Sequence, residues 1–84
     1  MKKYINIVGV GNRMAGIGKT SGKTYDFTPV SFTFEDPRVH GLKAVTVNIN
    51  QTELGDYTPA VGDVVEAVMH EDFRSGRVYV DAIL

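Results

Sequence analysis

Lys19, Lys23, Tyr25 and Phe27 fall close together in the first third of the chain, in the order Lys-Thr-Ser-Gly-Lys-Thr-Tyr-Asp-Phe. On an extended strand alternate side chains share a face, so Lys23, Tyr25 and Phe27 project together. A cation can neutralise a phosphate and a flat ring can accept the face of an unstacked base. Single-stranded nucleic acid is bound without sequence reading by that combination. The competing reading makes Tyr25 and Phe27 core residues of a barrel strand. The opposite parity, however, already supplies Val30, Phe32 and Phe34 for a core, and the parity that carries Lys23 must face out.

Other patterns point nowhere as definite. Gly9-Val10-Gly11 follows an apolar run as a dinucleotide fingerprint would, but Met14 stands where the third glycine belongs and no helix-competent segment follows. Gly18-Lys19-Thr20 resembles the end of a phosphate-binding loop, yet Arg13 occupies the required upstream glycine position. His40 and His70 read as solvated turn residues. So do the acidic pairs Glu35/Asp36 and Glu71/Asp72, beside Arg38 and Arg74. No nucleophile is matched with a base, and there is no cysteine for a thiolate site or disulfide. The reading is of a protein that is not an enzyme and needs no cofactor.

These residues must be positioned by a single domain, since 84 residues allow no more. The first 25 residues carry five basic and no acidic side chains, whereas the remainder carries four basic and ten acidic ones, a localised electrostatic footprint on a chain of net charge −1. The N-terminal apolar stretch is interrupted by Asn6 and followed too soon by Arg13 for a signal peptide, and no run is long enough to span a membrane; a cytoplasmic protein is expected. Glycine and proline recur too often for long helices. Strands are predicted from Lys3 to Val10, bent or bulged through the following glycines, then Lys23–Phe34, with Pro29 at a bulge or an edge, and Leu42–Asn50. Val64–Met69 and Arg77–Leu84 complete the set. In the third of these, Val45, Val47 and Ile49 oppose Thr46, Asn48 and Asn50. Five strands and no strong helix predict a small all-β, Greek-key barrel of the OB type.

Gly22-Lys23-Thr24-Tyr25, a β-rich segment, and then Tyr57-Thr58-Pro59-Ala60 before another strand resemble the filamentous-phage single-stranded DNA-binding, or helix-destabilising, gene V-like proteins. The similarity runs in order from about Gly18 to the C-terminus. It implies a five-stranded OB-type barrel in a two-fold homodimer that coats single-stranded viral DNA during replication. By position it implies stacking by Tyr25, an apolar DNA contact by Phe27, and an aromatic contact by Phe73 at the tip of the last hairpin. Lys19 and Lys23 take the phosphate-contacting positions. The chain departs from the pattern where basic residues are expected: Thr46 and the region of Asp81 stand there. A further family aromatic falls nearest Thr33, between Phe32 and Phe34, and only a bulge at Pro29 would turn one of those outward. Weaker or more salt-sensitive binding follows.

The sequence thus yields an OB-type barrel binding single-stranded DNA with little sequence specificity in phage replication. Arg13, Lys19, Lys23, Arg74 and Arg77 are candidates for phosphate, and Tyr25, Phe27 and Phe73 for bases. RNA is open to the same chemistry, including translational repression. An OB- or SH3-like protein-interaction module, or a small regulator of an enzyme, are the rivals. Apolar residues occur on both parities of the 64–84 hairpin, which predicts that a second copy covers one face, with Phe73 reaching DNA held by the partner.

Overall fold

A computed structural model describes all residues from Met1 to Leu84 and is all-β apart from one helical turn. Its elements are β1 (Lys2–Val10), β2 (Met14–Ile17), β3 (Thr24–Glu35), β4 (Leu42–Asn50), α1 (Gln51–Leu54), β5 (Val64–Asp72) and β6 (Arg77–Ile83). There are six strands, not five, because the expected long first strand breaks at residues 11–13. β1 and β2 then pair with successive stretches of the same edge of β3, Val30–Thr33 and Thr24–Phe27 respectively. They act as one bent strand.

The bend explains Pro29. Pairing with β4 is regular, with Asn48 opposite, so there is no bulge at this point, but on the other side Pro29 falls between the stretches paired with β1 and β2, a local edge. In an antiparallel ladder a residue's nitrogen and carbonyl face the same neighbour. The Pro29 carbonyl accepts from the Gly11 N–H at 2.8 Å, so its ring nitrogen faces the place where β1 leaves the ladder and no bond is lost. A side chain on Gly11 would meet the proline ring at 3.1 Å. The bulge that does occur lies in β1, between Ile7 and Gly9. Phe32 and Phe34 consequently stay buried.

All pairings are antiparallel. β4 flanks β3 on one side and β1 on the other, followed by β5 and β6. The outermost strands, β4 and β6, approach within 8 Å between Cα atoms but form no ladder, so the sheet curls without closing. Its concave face holds Ile5, Ile7, Val30, Phe32, Phe34, Ile49, Ala67, Met69, Val78 and Val80, with Leu54 of α1 as a plug. Tyr57 packs against this core and donates to Asp63 Oδ2 at 2.6 Å, tying down the β4–β5 connection. Burial, then the Asp63 carboxylate, push the Tyr57 hydroxyl up to about 12. No helix is long and apolar enough to cross a membrane.

Two acids expected in solvent are instead sequestered. The side chains of Asp36 and Glu71 are 5% and 7% exposed, and Arg38 bridges them. Its Nη2 reaches Asp36 Oδ2 at 2.8 Å and its Nη1 reaches Glu71 Oε2 at 2.7 Å, while Lys43 Nζ donates to Glu71 Oε1 at 3.0 Å. The network pins the 36–41 turn and the start of β4 to β5. Hydrogen bonds from the Arg38 side chain, and then its backbone N–H, hold Asp36 well below the usual carboxylate range; Arg38 and then Lys43 do the same for Glu71. A carboxyl depressed on folding stabilises the fold above its unfolded pKa, near pH 4, and that contribution is lost as pH falls towards the folded value. Melting temperature should therefore drop below about pH 4. Asp36→Asn should melt lower at neutral pH and show a shallower acid decline; a thermal-melt series that superimposes on wild type at every pH would remove the network from this role.

Candidate nucleic-acid interface

β2 and the first residues of β3 form a hairpin that projects from the rest of the sheet as a wing. Its turn is closed by the Gly18 N–H on the Lys23 carbonyl at 2.8 Å and the Gly22 N–H on the Gly18 carbonyl at 2.9 Å. Gly22, at φ 66°, takes the left-handed conformation this turn requires. β2 contributes no buried residue, so ladder bonds and surface contacts alone hold the wing.

Register assigns its two faces. Met14 opposes Phe27 and Gly16 opposes Tyr25, so these four share one face. The Tyr25 ring lies across Gly16, where a side-chain carbon would stand 2.8 Å from the hydroxyl oxygen. Tyr25 and Phe27 pack with centroids 5.9 Å apart at 38°. Tyr25 is 42% exposed and Phe27 half-buried. Lys19 and Lys23 are exposed at the tip of the same wing and enter no ion pair. The wing thus brings together four of the expected residues.

Arg13 is different. Asp26, facing away from Tyr25 and Phe27, takes it in a two-pronged pair, Arg13 Nε to Asp26 Oδ1 at 2.8 Å and Nη2 to Oδ2. Hydrogen bonding to Arg13 lowers the Asp26 carboxyl pKa. The guanidinium is already neutralised and lies on the wing's other face. The basic N-terminal third is likewise dispersed: Lys3 Nζ donates to the Glu35 carbonyl at the far end of β3.

Phe73, Arg74 and Arg77 occupy the β5–β6 hairpin tip, at the end of the sheet opposite the wing, in a molecule 42 Å along its longest axis. Phe73 is 86% exposed, beside Pro37 and Arg38. Arg77 reaches the open seam between β4 and β6, which it lines with Tyr79, Thr46 and Asn48. Phe73 is not brought to Tyr25 within one chain. His70, expected in a turn, is in β5; it stacks on Tyr79 at 5.0 Å, and its Nδ1 lies 2.8 Å from Asp81 Oδ2.

The surface between wing and seam had not been singled out as a site. Asn50 opposes Phe27, Asn48 opposes Pro29, and Thr46 opposes Ser31, with the last pair's hydroxyls 2.8 Å apart. All lie on the outward face of β3 and β4. A groove beside Tyr25 is lined by Thr24, Asp26, Asn50, Gln51 and Thr52, its one charged member, Asp26, being paired with Arg13. The polar parity of β4 was visible in the sequence; that it continues the aromatic face depends on register. On the far side of the sheet the outward faces of β1, β5 and β6 present Tyr4, Val64, Val68 and Ala82, with Leu84 just beyond β6, interleaved with Lys2, Asn6 and Glu66; Val64 is 61% and Leu84 62% exposed.

Comparison of the chain with protein-family models, curated proteins and solved structures returned no match.

The Tyr25–Gly16 contact can be tested directly. The new carbon of Gly16→Ala would strike the far end of a mobile side chain, and Gly16 has no positive φ, so stability should change by no more than about 0.5 kcal/mol while the ring is displaced. Altered Tyr25 ring resonances with an unchanged melting temperature are expected; unchanged ring resonances would show that the ring does not rest there.

Proposed function

We propose that this chain is an OB-type protein that binds single-stranded DNA and acts as a two-fold homodimer. The observation that carries the reading is the exposed Tyr25, packed on the half-buried Phe27, on a wing whose two tip lysines have no acidic partner. Unpaired bases can stack on the rings while Lys19 and Lys23 hold the flanking phosphates. The strand order supports the OB reading: in that fold the face of the second and third strands, flanked by the first and last hairpin loops, is the nucleic-acid surface. Counting β1 and β2 as one strand, these are the β3–β4 face, the wing turn and the Phe73 tip. The sequence resemblance adds the setting, coating of single strands during phage DNA replication.

A protein-interaction module would need an exposed apolar patch. The outward face of β1, β5 and β6 comes nearest to one, although Lys2, Asn6 and Glu66 interleave its apolar residues, and we assign it to a second copy because the apolar residues of the 64–84 hairpin lie along it. Such pairing lets Phe73 serve DNA held on the partner's wing, which accounts for a large ring exposed between Asp72 and Arg74.

Titration of labelled oligo-dT and duplex DNA tests the reading. Single strands should bind well above duplex, and Tyr25→Ala should cost about 1–3 kcal/mol. Equal affinity for duplex would overturn it. Lys23→Ala should make the slope of log K against log salt shallower by roughly 0.7, one phosphate contact. Arg13→Ala should leave that slope unchanged, since Asp26 already holds the charge. In sedimentation equilibrium the protein should be a dimer at micromolar concentration, and Phe73→Ala should weaken DNA binding while leaving the dimer intact. A monomeric wild type would discard the pairing.

A further inference from the structure

Stacking and phosphate contacts accept any base, but the surface that joins them here is chemically unusual for an indiscriminate binder. From the wing to the seam the outward residues are Tyr25, then Phe27, Pro29, Ser31 and Thr33 of β3, the last four opposed by Asn50, Asn48, Thr46 and Ala44 of β4. None is charged. Lys43, the one cation within β4, has the opposite parity and donates to Glu71. Free cations stand only at the borders of this track, Lys19 and Lys23 on the wing and Arg77 across the seam from Thr46 and Asn48. A strand crossing it finds no cation on the face itself. Its backbone must be held along those borders, with its bases turned onto the face.

What the bases would meet is a row of unspent amides. Asn50 stands at the N-cap position of α1, where an asparagine side chain ordinarily accepts a backbone N–H; it makes no such bond and is exposed. Asn48 is exposed one pleat further along. Each amide offers donors and an acceptor side by side, the complement of a base edge. Asn50 lies on the groove beside Tyr25 and Asn48 on the seam beside Arg77, so the two are next to a stacking ring and a phosphate ligand respectively.

We infer that Asn48 and Asn50 read the edges of bases, so that the protein discriminates among single-stranded sequences. This rests on the single-strand reading above and refines it. The test is binding of the full-length protein to fluorescein-labelled dT, dC and dA homopolymers of equal length at fixed salt. A hydrogen bond matched in one base and unmatched in another should separate the best and poorest homopolymer by about tenfold. Asn48→Ala/Asn50→Ala, both at exposed positions, should melt as wild type, reduce that spread to about twofold and leave the salt slope unchanged. Equal affinity of the wild type for all three strands would overturn the inference. So would a double variant that keeps the ranking, because the preference would then come from stacking. Neither result touches single-strand binding itself, which fails only if no homopolymer is bound above duplex.

Discussion

Phe32 and Phe34 sit at the centre of the core with ring centroids 5.9 Å apart, and the face of β3 they occupy decides nearly everything else. Side chains alternate without exception along a regular strand, so burying the even-numbered residues from Thr28 to Phe34 sends the odd-numbered ones out. A slip of one residue would exchange the two sets, taking two phenylalanines from the core and putting Ser31 and Thr33 in their place. Because β3 bonds to β1, β2 and β4, its register is passed on to each of them.

The wing depends on that register without contributing to the burial that sets it. β3 runs beyond the core towards its N-terminal end, where Tyr25 and Phe27 keep the outward parity and β2 provides only a ladder partner. The Arg13–Asp26 pair braces the wing from behind; an exposed pair of this kind contributes modestly at best, though its two-pronged geometry is the favourable one. At the opposite end, burial is used differently. Arg38, itself half exposed, covers the shielded carboxylates of Asp36 and Glu71 and links them, fixing the base of the hairpin that carries Phe73.

Alternation made much of this legible in the sequence. Phe32 and Phe34 inward, Tyr25 outward and the polar stripe of β4 all follow from parity, which needs no knowledge of neighbours. What was not legible depended on partners distant in the chain. Nothing local pairs Asp26 with Arg13; the bend at residues 11–13 carries Arg13 to it. Asp36 and Glu71 are 35 residues apart in sequence and read as turn acids because nothing local indicates that Arg38 spans them. Pro29 signalled an interruption correctly, but the interruption belongs to the strand beside it. The six-strand count has the same origin, since a bend and a break look alike in sequence.

The exposure of every β2 residue except Gly16, itself only half-buried, carries a consequence for how such a protein can change over time. Substitutions in a packed core are filtered first by whether the chain still folds. Residues 14–17 escape most of that filter, because removing or enlarging their side chains opens no cavity and crowds no neighbour beyond the Tyr25 ring, whereas the turn that follows is held by Gly18, where a side chain would meet Ser21, and by the left-handed Gly22. β2 can therefore drift, gaining or shedding charge and aromatic surface, while the sheet beneath it is held constant by its own packing. The packed core and this exposed strand are written in separate parts of one short chain, and natural variation or an engineer can edit the second without reopening the first.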